Sequence, residues 1–361
     1  MKIKSTKNHE SSIWIWNSQE KGGKVSLWLP YAESLLRIPR SSFWEARYGE
    51  ETLEIDLQKT DLIMLYGERG NLPVTFLADL SKYGIPLMIH ERRQPRPFIF
   101  YPPDFQDRND ILSLQILARN NKTRRKSVAK ALVKARIASM SKRYLIPEKI
   151  SNGLHFANSI QEIRLAEAQA TARYWSSWYS ALGQPSERRI NTPLNHALNL
   201  GSAFLHGILL RWILFHHLSP MHGFLHEATS YSALVYDLME PYRYILEDAA
   251  ADVFRETEGE EKAMLRKIGP TIKERLSEIV FVPATRQSVQ RKNLLHGIVL
   301  ALRAWLAGDS PKFIIPTEGE PRGGRKPLPG YILPGGRLST RKGVSKRAPA
   351  RKDVRQRNAI P

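Results

Sequence analysis

His226, Asp237 and Glu240 lie in the stretch Leu218–Arg243, LSPMHGFLHEATSYSALVYDLMEPYR, directly after a nearly continuous apolar run from Leu198 to Leu218. An imidazole and two carboxylates beside such a core need partners, because charge buried without one is costly. Asp237 and Glu240 are three apart, so they share a face if their segment is helical. One unbroken helix would set His226 roughly 21 Å from Glu240, too far for a single ion. The chain is therefore expected to fold back after His226, with Glu227-Ala228-Thr229-Ser230 supplying a turn and then a helix cap. Pro241 lacks the amide that would bond the carbonyl of Asp237, so a kink is expected beside the carboxylates.

Glu167 is the fourth candidate. A helix is expected to start at the capping box Ser159/Glu162 and to end near Leu182, before Gly183 and Pro185. Its inner stripe runs Ile163, Glu167, Ala170, Tyr174, Trp178, Leu182, which puts a carboxylate among apolar residues. Two partners would satisfy it. One is an arginine such as Arg211, which sequence position by itself favours. The other is a divalent ion shared with His226 and Glu240, three side chains then expected to meet within about 5 Å of one point. Oxygen ligands plus one imidazole suit Mg²⁺ or Mn²⁺. Such an ion binds a phosphate oxygen and offsets charge developing on phosphorus. His216, His217, His222 and His226 also invite a zinc reading, against which stand Pro220, Gly223 and the lack of any cysteine. No phosphate-cradling glycine loop and no serine nucleophile elbow occurs.

The elements that must position these residues fall into three stretches. Residues 1–104 read as a β-rich domain, with apolar runs SIWIWN, KVSLWLP, SLLRIP, TLEIDL, TDLIMLY, PLMIH and PFIFY between turn signals, and one helix near Val74–Tyr83 stopped by Gly84. Residues 105–312 read as an all-α domain, with helical patterns through Ile279 and a last helix from Gln287 to Ala307. Residues 313–361, rich in Gly, Pro and basic side chains, read as a disordered arm. The run Leu198–Leu218 is long enough to raise a membrane span, but Asn199, His206, Arg211, His216 and His217 interrupt it, so a buried central helix is expected.

Charge points to a polyanion. The 361 residues carry +20, of which +11 belongs to residues 321–361. Nucleic acid is expected before a membrane. Residues 111–147 contain no acid and carry Arg119, Lys122, Arg124, Arg125, Lys126, Lys130, Lys134 and Arg136, which makes the stretch a candidate for backbone-phosphate contact. Lys126, Lys130 and Lys134 repeat every four residues, and the cations from Lys126 to Arg136 are expected to track a duplex. Arg124, Lys126, Lys130 and Lys134, with Arg243 one turn after Glu240, are the expected phosphate contacts; a merely solvated cationic face is the alternative. The absence of cysteine permits a reducing compartment, and no apolar leader opens the chain, so a cytoplasmic setting is expected.

Three stretches together resemble the CRISPR-associated spacer integrase/endonuclease family, the protein numbered one of that system. They are Glu167–Tyr174 (EAQATARY), Asn195–Gly201 (NHALNLG), and Leu218–His226 followed by Asp237–Arg243 (DLMEPYR). Their order and spacing agree with the family's motifs. Ala168, His217 and Ser219 depart from its usual residues without removing a ligand. The resemblance implies an α+β fold, a β-rich N-terminal domain followed by an all-α catalytic domain. It implies metal ligation by Glu167, His226 and Glu240, with Asp237 as an auxiliary carboxylate. It further implies insertion of a short captured duplex into a CRISPR repeat by 3′-hydroxyl transesterification. The protein would act as a homodimer formed through the β domain and bridged by a small partner, the CRISPR-associated protein numbered two. The rivals are a metal-dependent nuclease acting on branched DNA with water as nucleophile, and a non-catalytic DNA-binding scaffold.

Overall fold

In the computed structural model, residues 3–4, 14–17, 25–30, 33–39, 41–48, 51–66, 71–91, 97–100, 110–185, 188, 190–228, 230–320, 330–339 and 345–347 are described. A β-rich N-terminal lobe precedes a helical lobe, the α+β arrangement expected. Alternating sequence builds the first sheet, in the order β1 (Ile3–Lys4), β6 (Glu51–Asp56), β5 (Phe43–Tyr48), β4 (Ser34–Arg37), antiparallel throughout. Leu53 and Ile55 of β6 pair with Ala46 and Trp44 of β5, and all four are buried. β5 was not among the expected strands, because Glu45, Ala46 and Arg47 dilute its apolar signal.

The second sheet runs β2 (Trp14–Asn17), β3 (Val25–Pro30), β7 (Thr60–Tyr66), β8 (Leu87–His90), β9 (Phe98–Phe100). Its centre, β3, β7 and β8, is parallel, and such strands are covered on both faces. That explains the solid apolar run of β7. Ile63 and Leu87 face the first sheet and the crossover helix α1 (Val74–Lys82), which Gly84 ends in the left-handed conformation. Trp28, Leu62, Met64 and Met88 face the helical lobe.

That lobe comprises α2 (Ile111–Asn120), α3 (Lys122–Ser141), α4 (Glu148–Phe156), α5 (Ile160–Ser180), α6 (Pro193–Phe215), α7 (Ala233–Met239), α8 (Arg243–Glu256), α9 (Glu261–Ser277) and α10 (Lys292–Leu306). α6 is the expected central helix, capped by Thr192 with Pro193 in its first turn, and most of its length is buried by the other helices and the β7 face. Gly207 allows the close approach, since a Cβ there would overlap Met64 Sδ. Arg211, the candidate partner for Glu167, is spent at this junction instead. It pairs with Asp61 of β7 and donates to Ser26 Oγ at 3.3 Å.

Two expectations near the C-terminus are corrected. The last helix starts at Lys292, not Gln287. Gln287–Gln290 is β11, antiparallel to β10 (Ile279–Val282), with Val280 opposite Val289. The alternating QSVQ pattern pairs with a neighbour that the helical reading ignored. A structureless arm was expected from residue 313, yet Phe313 and Leu333 are buried. Leu333 fills the space left by Gly297 of α10, and Gln287 bonds its backbone on both sides, at 3.0 and 2.9 Å. Apart from 330–339 and 345–347, the arm after residue 320 lies outside the described residues.

Candidate active site

Asp237 organises the site. The segment between α6 and α7 is irregular, and it returns His226 to α7 as the spacing required. The Asp237 carboxylate is fully buried. Its Oδ2 accepts from the amides of Phe224 (2.5 Å) and Leu225 (2.9 Å). Its Oδ1 accepts from the amide of His226 (3.1 Å) and lies 2.7 Å from His226 Nδ1. Four acceptor contacts occupy both oxygens, so Asp237 ties the returning loop to α7. Gly223 lets the loop come this close, because a Cβ there would sit 2.7 Å from Asp237 Oδ2. Holding Nδ1 leaves Nε2 as the nitrogen available to an ion, as in the carboxylate–histidine arrangement that orients metal-binding imidazoles.

Glu240 opens the 3₁₀ turn Glu240–Tyr242, the break expected at Pro241, and α8 resumes at Arg243. It is 5% exposed and faces two cations. Arg243 NH1 donates to Oε1 at 2.7 Å, and Arg136 Nε lies 3.6 Å from Oε2. Burial alone would raise its pKa, but Arg243 and Arg136 outweigh it and hold the carboxyl below the usual range. Glu167 projects from α5, half-buried, and accepts only a long 3.4 Å bond from Thr171 Oγ1 among the described residues. Burial, and then the charge of Glu240, push its pKa up. Burial lowers the His226 pKa, yet the hydrogen bond and charge of Asp237, joined by Glu240 and Glu167, leave it raised.

These mutual effects place Glu167, His226 and Glu240 in one electrostatic neighbourhood. They do not close into a cage. Among the described residues no three histidine or acidic side chains are gathered closely enough to hold an ion, contrary to the convergence expected. The physical cause is visible: Glu240 leans on its guanidinium neighbours, and two carboxylates without a shared cation repel. The donor set still fits a hard divalent ion, because Glu167 has no cation of its own and His226 keeps Nε2 free of any hydrogen bond among the described residues.

The basic residues divide. Lys134 is exposed and Lys126 partly so, on one side of α3. Lys130 Nζ donates to the carbonyl of His155 at 2.8 Å, and Arg124 lies 4.4 Å over the ring of Trp305. Arg243 belongs to the acidic site itself. Arg136, grouped with the outward cations in the sequence, is buried and forks onto Glu247 at 3.1 and 2.6 Å. The i, i+4 series Val128, Leu132, Arg136 carried that information, since it continues the apolar face. Asn195 serves the start of α6, accepting from Tyr179 OH at 2.5 Å and donating to the carbonyl of Ile190 at 2.9 Å.

Comparison with known proteins agrees with this architecture. The model of the family "CRISPR associated protein Cas1" matches residues 32–264. A CRISPR-associated endonuclease Cas1 from Pyrobaculum aerophilum is 31% identical over 121 residues, 33% of this chain and 41% of that protein. One from Saccharolobus solfataricus is 30% identical over 105 residues, 27% of this chain and 30% of that protein. The matched stretches thus span less than half of either relative. Among solved structures, a casposase bound to its integration product superposes with a TM-score of 0.66 at 20% identity, covering 80% of this chain and 92% of that one. A Cas1 protein from Thermotoga maritima gives 0.67 at 18% identity, covering 81% of this chain and 100% of that one. A Cas6–RT–Cas1–Cas2 complex gives 0.67 at 16% identity, covering 82% of this chain and 36% of that one. At these identities the structures share the fold, and the family match, which takes in Glu167, His226, Asp237 and Glu240, covers well over half of the sequence. This chain belongs to the Cas1 family.

Proposed function

We propose that this chain is a DNA integrase of CRISPR adaptation, with Mg²⁺ or Mn²⁺ held by Glu167, His226 and Glu240. The observation that carries the reading is the Asp237–His226 pair, which engages Nδ1 and leaves Nε2 available, with Glu167 and Glu240 near enough for their charges to act on the imidazole. When bound, a divalent ion there supplies Lewis acidity at a phosphate oxygen and offsets charge developing on phosphorus. The chain's own residues do the rest. Asp237 fixes the imidazole, Arg136 and Arg243 set the position of Glu240, and Arg243 adds positive charge beside the reacting phosphate. Arg124, Lys126, Lys130 and Lys134 run along α3 as contacts to the backbone of a duplex. The reaction is a transesterification. The 3′-oxygen of a captured duplex bonds to a repeat phosphorus, the bond from that phosphorus to the repeat's own 3′-oxygen breaks, and the hydroxyl proton passes to solvent.

Solved relatives in the fold support the same partners. One is a casposase bound to its integration product, and another is a Cas6–RT–Cas1–Cas2 complex. By analogy the chain works as a homodimer through its β-rich lobe, bridged by a Cas2-type protein, on captured and repeat DNA in the cytoplasm. Incubating it and its partner with a supercoiled repeat plasmid and a duplex donor bearing a 3′-hydroxyl tests this. Joined product that vanishes in Glu167→Ala and Glu240→Ala is expected. Nicking without joining would make it a nuclease, and DNA binding with no reaction would make it a scaffold.

A further inference from the structure

His226 rides on irregular backbone that Asp237 holds by its amides, which leaves the loop's carbonyls to be held by something else. The structure supplies the missing support from two helices about a hundred residues earlier. Gln115, fully buried on α2, donates from Nε2 to the carbonyls of Ser219 (2.9 Å) and His222 (2.8 Å) and accepts from the amide of Ser219 (2.8 Å). Arg119, one turn later, donates to the carbonyls of Gly223 (3.0 Å) and Glu227 (2.9 Å), on either side of His226. Arg125, on α3 after the break at Asn121, donates to the carbonyl of Phe224 (2.9 Å) and to Glu227 Oε1 (2.7 Å).

These bonds interlock with those of Asp237. The peptide unit joining Gly223 to Phe224 has its oxygen on Arg119 and its N–H on Asp237. The next unit, Phe224 to Leu225, has its oxygen on Arg125 and its N–H on the same carboxylate oxygen. Two successive peptide dipoles are thus each gripped between a guanidinium and a carboxylate. Charge-assisted bonds at both ends of a peptide polarise it and strengthen one another. The same chain of contacts gives the buried Asp237 charge two cations through the backbone.

We infer that Gln115, Arg119 and Arg125 are positioning residues that fix the His226 loop, and that Arg119 and Arg125 are withdrawn from the DNA-facing charge of α2–α3. The consequence for metal capture rests on the function proposed above; the brace itself does not. Lysine keeps the charge but lacks the planar fork that reaches two separated acceptors, the Gly223 and Glu227 carbonyls for Arg119 and the Phe224 carbonyl and Glu227 Oε1 for Arg125, so Arg119→Lys and Arg125→Lys separate geometry from charge.

Hydrogen exchange of peptides spanning 218–232 in the metal-free full chain is the direct readout. Both lysine variants should exchange at least tenfold faster there, with the α6 amides unchanged; parental exchange would overturn the brace. In a salt series of duplex binding, Arg119→Lys and Arg119→Ala should keep the parental slope, whereas Lys134→Ala should lower it by about one. A drop of about one in Arg119→Ala would make Arg119 a phosphate contact and sink the proposal. Mn²⁺ titration of Arg119→Lys should show affinity weakened about 10- to 100-fold, the usual effect of losing a residue that orients a ligand. If the parent binds no Mn²⁺, the proposed function fails, while the exchange measurement still decides the brace.

Discussion

Replacing Asp237 by asparagine tests the centre of the site. The carboxylate takes three backbone amides and one imidazole nitrogen on its two oxygens. Asparagine offers one oxygen, so either orientation forfeits two of these bonds and points an NH₂ group at donors. A hydrogen bond to a charged group contributes about 1.5–3 kcal/mol, so the loss is on the order of 3–6 kcal/mol before the loop relaxes. At roughly 2 °C per kcal/mol for a long chain, Tm should fall by about 6–12 °C. The imidazole should respond as well. Burial lowers the His226 pKa and Asp237 is the main cause that raises it, so Asp237→Asn should shift it downward. The folded-state value lies above the unfolded one, so protonated His226 stabilises the fold below about pH 6.5, and this contribution fades as pH rises through the folded value. Asp237→Asn should flatten that part of the stability profile. Thermal unfolding between pH 5 and 8, with an NMR titration of the His226 ring, reads both effects. An unchanged Tm together with an unchanged His226 titration would refute the assignment of Asp237 as the clamp.

Four further outcomes are expected. Glu167→Gln removes a carboxylate that burial and Glu240 both disfavour, so the metal-free protein should melt about 2 °C or more higher near pH 7.5, as expected for on the order of 1 kcal/mol, while losing any stabilisation by Mn²⁺; a lower Tm would contradict the uncompensated state of Glu167. Arg136→Met strands the fully buried Glu247 and should cost about 3–5 kcal/mol in denaturant unfolding, with much of it recovered in Arg136→Met/Glu247→Met. A chain stopped after residue 339 should melt within about 2 °C of the parent, the scale of roughly 1 kcal/mol, and bind DNA with a shallower salt dependence. Stopping after residue 320 should lower Tm clearly, because Leu333 leaves its place against Gly297 and Gln287 loses two bonds.

Much of the architecture could be read before any coordinates. β7 is solidly apolar because it is covered on both faces, and α5 starts where Ser159 accepts from the amide of Glu162 at 3.1 Å. The fold-back after His226 follows from rise per residue once the imidazole and the carboxylates are required to meet, and the break at Pro241 from a missing amide. Gln287–Gln290 misled because four residues are too few for periodicity to separate strand from helix. Arg136 was grouped with the outward cations although its spacing from Val128 and Leu132 continues the apolar face.

What the chain decides locally is its periodicity, its caps and breaks, its surplus of positive charge, and the identities of the side chains able to share an ion. Partner choice is a different kind of information. Arg211 could have answered Glu167, but α6 lies against β7 and gives it to Asp61. Asp237 is expected as an auxiliary carboxylate beside the ion, yet the returning loop fills its oxygens with amides, and Arg119 and Arg125, in a stretch expected to meet phosphate, turn to the carbonyls of the same loop. Each pairing joins residues far apart in the chain or turns on where a loop comes to rest. Hydrogen bonds and ion pairs act over a few ångströms of space, so only the packed chain settles which of several suitable partners arrives first.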